Sequence, residues 1–147
     1  MALSTSSTPL VEALLSSYAV EAEMYQELLL LAREQGSLLR RGEGVAEYAA
    51  LFPRKDELLR AIGRIELELE PLKQQWWDLG PTPDARERLN GLLDRILGAI
   101  DGLRAQEMRN EELLARRGVA ARQALHEARG AAGRVAEFVP HAAPCAG

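Results

Sequence analysis

The sequence predicts an all-α protein: an elongated antiparallel three-helix bundle, or coiled coil, with long helices and a protruding C-terminal helical segment. Leu, Ala, Glu and Arg dominate the 147 residues and β-branched residues are scarce, which is the composition of long helices. Apolar residues also recur every three to four positions over three long stretches, as they do along the buried face of a helix. A chain of this length suits one domain.

The clearest apolar pattern runs from residue 51 to residue 79, and we take this stretch as the one against which the others pack. One series of positions spaced seven apart is entirely aliphatic: Leu51, Leu58, Ile65, Leu72 and Leu79. An interleaved series is Tyr48, Lys55, Ile62, Leu69 and Trp76. Charged residues fall between the two series. A helix with one such apolar seam needs partner helices of matching length.

Glycine and proline divide the chain into helices. The Ser- and Thr-rich residues 1–8 are expected to form a disordered N-terminus. Thr8 would cap the first helix, with Pro9 at the first helical position, where the missing N–H costs nothing. A glycine-rich turn beginning at Gly42 ends that helix. Pro53 cannot lie unstrained inside a helix, so we expect a kink or a restart there.

The sequence Gly-Pro-Thr-Pro at residues 80–83 separates the second helix from the third. Thr82 is expected to be the N-cap and Pro83 the first helical residue. Pro71 is expected to bend the second helix near its end. The predicted bundle domain is therefore 9–118, with helices at about 9–40, 45–79 and 83–118.

Residues 119–147 are predicted to form a marginal helix followed by a flexible tail. In an antiparallel bundle the third helix reaches the ends of the other two helices at about Gly118. The seam beyond that point is mainly alanine until Val135 and Phe138. Alanine favours the helix but buries little apolar area. We therefore expect residues 119–139 to outrun the bundle and to fold fully only against another molecule.

The composition disfavours several classes of function. The net charge of −4 argues against binding nucleic acid by phosphate neutralisation. The first nine residues do not resemble a signal peptide, and no apolar run is long enough for stable membrane insertion, so a cytoplasmic protein is expected. Cys145 is the only cysteine, which fits a reducing compartment. Phosphate-binding, nucleophile and metal-ligand motifs are lacking, so we expect no catalytic residue, no metal and no cofactor.

A small helical enzyme of the chorismate mutase type is the enzymatic alternative. Its dicarboxylate substrate would require several cations that point into the bundle. Lys55 and Arg117 are the cations in seam positions, one beside Pro53 and the other near the end of the bundle. We therefore do not expect an enzyme.

Two features have open interpretations. Trp76 belongs to the seam and is expected in the core, whereas Trp77 either packs under the turn at 80–83 or is exposed for a partner. Glycine occurs three times in the third helix, at Gly91, Gly98 and Gly102. These glycines either permit the close approach of a neighbouring helix or are merely tolerated at a cost of roughly 1 kcal/mol each.

The third helix also carries a motif that resembles a known family. Asn110 is the odd, polar member of its seam, and a lone Asn at such a position often fixes helix register. Around it the sequence reads Arg109-Asn110-Glu111-Glu112-Leu113-Leu114. With Leu103 upstream, this segment resembles the Arg-Asn-x-x-Leu-Leu type motif of the FlgN family of flagellar export chaperones. The likeness covers roughly residues 10–125 and includes Leu14-Leu15, Tyr25-x-x-Leu28-Leu29 and Glu57-Leu58-Leu59.

The resemblance implies a cytosolic chaperone of hook–filament junction proteins. Such a chaperone holds the aggregation-prone terminal helices of its clients and delivers them to the type III export apparatus of the flagellum. The family's C-terminal part is implicated in client binding, so we expect a client helix to pack in a helix-in-groove mode against Leu113, Leu114, Val119, Leu125, Val135 and Phe138. The alternative is a structural or adaptor coiled coil that self-associates as a homo-oligomer through the same segment.

Overall fold

The computed structural model describes residues 2–42 and 44–118, together with residues 123, 126, 127, 129 and 130; for residues 2–8 it describes the backbone only. Its helices are α1 (Ala2–Arg40), α2 (Val45–Ala49), α3 (Phe52–Leu79) and α4 (Pro83–Ala115). The described residues contain no strand, and the predicted all-α bundle is confirmed. None of the described helices is both long enough and apolar enough to cross a membrane.

The three long helices run up, down and up. α3 is antiparallel to α1, because Arg54 near the start of α3 pairs with Glu27 at 2.6 Å, whereas Glu66 further along α3 shares a hydrogen bond with the earlier Glu21. α4 is again antiparallel to α3, which makes it parallel to α1.

Contacts at both ends of α4 demonstrate this parallel pairing. Arg88 Nη1 pairs with Glu12 Oε1 at 3.1 Å, and Asn110 Nδ2 bonds to the carbonyl oxygen of Ala32 at 3.0 Å. The two pairs are separated by similar distances along each helix, so the helices keep one register over most of their length.

The central helix is α1, which packs against each of the other three, whereas α3 and α4 approach each other closely at few backbone positions at most. The stretch 51–79 is therefore an outer helix and does not organise the bundle as predicted. The reason is the width of the buried face of α1, which has three adjacent rows with a spacing of seven. The row toward α3 is Leu14, Glu21, Leu28 and Gln35; the row toward α4 is Leu15, Ala22, Leu29 and Gly36; and the row between them is Tyr18, Tyr25, Ala32 and Leu39.

Pro9 and Pro53 occupy different positions in their helices. α1 begins at Ala2, seven residues before the predicted start, and Pro9 lies inside the helix instead of following a cap at Thr8. No glycine interrupts 2–8, and Pro9 removes only one backbone hydrogen bond. Pro53, in contrast, lies in the first turn of α3, as expected for a restart after α2.

The turn between α3 and α4 follows the predicted chemistry. Gly80 caps α3 with a left-handed φ of 62°, a conformation that favours glycine. Thr82 Oγ1 accepts a hydrogen bond of 3.2 Å from the backbone N–H of Ala85, and Pro83 is the first residue of α4. Pro71 lies within α3, which is continuous through it.

At the other end, α4 stops level with α1. α4 ends at Ala115, the guanidinium of Arg117 bonds to the carbonyl oxygen of Leu39, and Gly118 has a positive φ of 90°. α1 is longer than predicted and α4 slightly shorter. Most of residues 119–139, which are expected to outrun the bundle, lie outside the described residues.

Candidate functional site

The motif at residues 109–114 lies on the last turns of α4, and its asparagine is part of the core. Asn110 is fully buried. Its Nδ2 donates to the carbonyl oxygen of Ala32, and its Oδ1 accepts a 3.0 Å hydrogen bond from Gln106 Nε2. The bond to Gln106 lies within α4 and orients the amide, and the bond to Ala32 joins α4 to α1, so a shift of α4 along α1 would break the second bond. This is the geometry required of the predicted register residue.

A glycine on α1 provides the space for this amide pair. A Cβ at Gly36 would lie 2.5 Å from Gln106 Nε2 and 2.7 Å from Asn110 Oδ1. Gly36 was not among the residues singled out from the sequence. Its spacing of seven from Leu29 is the signal that could have identified it as a buried position.

The two leucines of the motif have different environments. Leu114 is 1% exposed and packs in an apolar cluster with Leu39, Tyr48 and Phe52. Leu113 is half-buried at the edge of the same cluster. Of these two predicted client-binding residues, Leu113 is therefore accessible on the folded bundle, whereas Leu114 is covered by α2.

α2 closes this end of the bundle through its tyrosine. The rings of Tyr48 and Phe52 meet edge to face, with centroids 5.4 Å apart. The carbonyl oxygen of Tyr48 accepts a 2.9 Å hydrogen bond from Gln35 Nε2. The Tyr48 hydroxyl is buried without a hydrogen-bond partner among the described residues, and burial raises the pKa of this phenol.

Lys55 is a cation that the enzymatic alternative would need for substrate binding. Its ammonium group is instead bonded to other residues of the bundle. The side chain is 7% exposed. Its Nζ donates 2.9 Å to Gln35 Oε1, pairs with the carboxylate of Glu107 and lies 5.1 Å from the centroid of the Phe52 ring. Because a buried charge must be paired, these contacts account for Lys55 as a link between all three long helices.

The other predicted client-binding residues, Val119, Leu125, Val135 and Phe138, lie outside the described residues. Arg129 does lie within them, and its guanidinium contacts the carboxylate of Glu111 on α4. A straight helix would place residues eighteen apart at about 27 Å. Arg129 is therefore not placed as it would be on a straight continuation of α4, because its side chain lies beside Glu111.

The open interpretations for tryptophan and glycine are also decided by the structure. Trp76 is 3% exposed, as predicted, and Trp77 is 72% exposed, so it does not pack under the turn. A Cβ at Gly102 would lie 3.2 Å from Leu29 Cδ2, so this glycine permits close packing of α1 and α4. Gly91 and Gly98 face open space and are tolerated. Cys145 lies outside the described residues.

A second buried polar cluster lies halfway along the α1–α3 interface. Glu21 is 2% exposed, and its Oε1 has no hydrogen-bond partner among the described residues. Burial raises the pKa of Glu21 to about 8, helped by the hydrogen bond to Glu66 and the negative charge of Glu66, while Lys73 acts in the opposite direction. The raised pKa of Glu21 favours its protonated form, which can donate a hydrogen bond to the Glu66 carboxylate.

In comparisons with known proteins, the chain matches no family model, no curated protein and no solved structure.

Proposed function

We propose that the chain is a cytosolic export chaperone of the bacterial flagellum, which binds amphipathic terminal helices of hook–filament junction proteins and delivers them to the type III export apparatus. The observation that carries this proposal is the position of the 109–114 motif. Its Asn110 fixes α4 against α1, and its Leu113 remains half-exposed at the rim of an apolar cluster. The motif thus joins a rigid support to an accessible apolar edge.

The client-binding surface begins at this edge. Leu113 lies beside the cluster formed by Leu39, Tyr48, Phe52 and Leu114, and Gly118, five residues later, has a positive φ of 90°. An amphipathic helix that adds its apolar face here would extend the cluster and cover Leu113.

The described contact between the residues after Gly118 and α4 is weak enough to be exchanged for contact with a client. Its described link to α4 is the ion pair between Arg129 and Glu111, whose side chains are 45% and 48% exposed. Exposed ion pairs contribute at most about 1 kcal/mol. Breaking this ion pair therefore costs little, and folding of residues 119–139 together with a client would keep the affinity moderate, as delivery requires.

The proposal is tested by titrating the full chain with the terminal helical segments of the hook–filament junction proteins encoded by the same genome, using isothermal calorimetry. We expect micromolar or tighter binding of at least one segment, and about tenfold weaker binding by Leu113→Ser. Leu97→Ser is the matched control, because Leu97 is an exposed leucine of the same helix. Failure of every segment to bind, or self-association of the chain that is lost in Leu113→Ser, would overturn the proposal in favour of a self-associating coiled coil.

A further inference from the structure

The outer face of α3 carries two of the most exposed large apolar side chains in the described part of the chain. Trp77 is 72% exposed and Leu67 is 77% exposed. Pro71 and Gln74 lie between them and are also exposed. Helical geometry places these residues on one side of the helix over about 15 Å, or nearly three turns.

This apolar strip has an acidic surround. Glu68, Glu70 and Asp78 are all exposed around it, and the negative end of the helix dipole lies at Leu79, the last residue of α3. Two cations of α3 lie nearby. Lys73 lies 3.4 Å from Glu66 and 3.5 Å from Glu70, and Arg64 is exposed one turn before Leu67. The acidic residues Glu66, Glu68, Glu70 and Asp78 outnumber these cations.

We infer that this face of α3, from Leu67 to Asp78, is a docking surface for a basic amphipathic helix of a partner protein. Leucine-type side chains of the partner would pack on Leu67 and Pro71, and an Arg or Lys would lie over the Trp77 ring while its neighbours face the carboxylates. The acidic surround repels anionic lipid headgroups and nucleic-acid phosphates, so the charge favours a cationic protein segment.

The surface is independent of the proposed client-binding end. Trp77 lies next to the turn that precedes α4, whereas Leu113 lies at the opposite end of α4, a helix of 33 residues and therefore about 50 Å long. The chain could therefore bind both partners at once. Binding at the α3 face does not depend on whether the proposed client-binding function is correct.

The two tryptophans provide the measurement, because acrylamide quenches the exposed Trp77 and spares the buried Trp76. The probe is an 18-residue helical peptide of Leu and Lys that lacks aromatic residues, and the control peptide has Glu in place of Lys. We expect the Leu/Lys peptide to shield Trp77 from the quencher and the Leu/Glu peptide to have no effect. Trp77→Ser should weaken binding of the Leu/Lys peptide, measured by calorimetry, at least tenfold.

Two charge variants distinguish this surface from general attraction to an acidic protein. The test variant is E68Q/E70Q/D78N on α3, and the control is E87Q/D94N/D101N on the exposed side of α4; both remove three negative charges. We expect at least fivefold weaker peptide binding in the α3 variant and unchanged binding in the α4 variant. Equal weakening in both would overturn the inference. So would self-association of the chain that Trp77→Ser abolishes, because a second copy would then occupy this face.

Discussion

Asn110 on α4 and Ala32 on α1, 78 positions apart in the sequence, are joined by a 3.0 Å hydrogen bond from a side-chain amide to a backbone carbonyl oxygen. Both residues are fully buried. An apolar residue at position 110 could slide along α1 by a turn with little penalty, whereas the amide loses its partner when α4 moves. The bond therefore fixes the position of α4 along α1, and with it the position of Leu114 beside Tyr48 of α2.

Replacement of Asn110 by alanine should destabilise the bundle by about 2–3 kcal/mol, because it removes two buried hydrogen bonds and leaves a small cavity. Urea unfolding followed by circular dichroism measures the effect. Asn90→Ala is the matched control, since Asn90 is an exposed residue of the same helix, and it should change stability by less than about 0.5 kcal/mol. Equal losses in the two variants would contradict a register role for Asn110.

Glycine-to-alanine substitutions should lower the stability of the fold at one position and raise it at two others. Gly36→Ala should destabilise by about 1–2 kcal/mol, because the new Cβ would push on Gln106 and Asn110, whose hydrogen bond would be distorted. Gly91→Ala and Gly98→Ala should stabilise by about 0.5–1 kcal/mol, because each adds helix propensity in open space. Thermal unfolding of the three variants checks the order, and a stabilised Gly36→Ala would show that the amide pair has room to move.

The fold class and the turn at residues 80–82 could be predicted, because apolar spacing and proline or glycine signals are local. The central role of α1 could not be. Its row toward α3 includes Glu21 and Gln35, which look like surface residues in the sequence and become buried because α3 supplies Glu66 and Lys55 as partners. Polarity alone cannot reveal burial that depends on a distant partner.

The candidate site was predictable to a similar extent. Asn110 was identified because it interrupts an apolar seam, and its burial agrees with that position. Leu114 was placed on a client-binding surface because the sequence does not show that α2 folds over it. The exposure of Trp77 could not be decided, because a Trp beside a turn can pack against it or point away.

Tyr48→Phe tests the buried hydroxyl at the end of the bundle. The Tyr48 hydroxyl has no hydrogen-bond partner among the described residues, and an unsatisfied buried polar group is costly. We expect the variant to be as stable as the parent chain or more stable, by up to about 1 kcal/mol, in urea unfolding. Tyr48→Ala, which also empties the space beside Phe52, should lose about 3 kcal/mol or more. A clear loss of stability in Tyr48→Phe would instead indicate that the segment after Gly118 bonds to this hydroxyl.

The Glu21–Glu66 pair predicts a pH dependence of folding. The pKa of Glu21 is raised to about 8 by burial and by Glu66, above its value of 4.5 in the unfolded chain. The folded state therefore binds more protons than the unfolded state between these two values, and stability must fall as pH rises through this window. The groups facing Glu21 are Tyr18 and Tyr25 on α1 and Glu66 and Lys73 on α3.

The informative range is pH 6 to 9, because it spans the raised pKa of Glu21 and lies above the ordinary pKa of a carboxyl group, about 4. We expect the parent chain to lose stability on the order of 2–3 kcal/mol across this range, measured as the urea midpoint at each pH. Glu21→Gln, which stays neutral and keeps a donor for Glu66, should show little change, whereas Glu23→Gln, at an exposed position of the same helix, should behave like the parent chain. A parent chain whose midpoint is constant from pH 6 to 9 would mean that Glu21 is ionised throughout and that α1 and α3 separate enough to hydrate it.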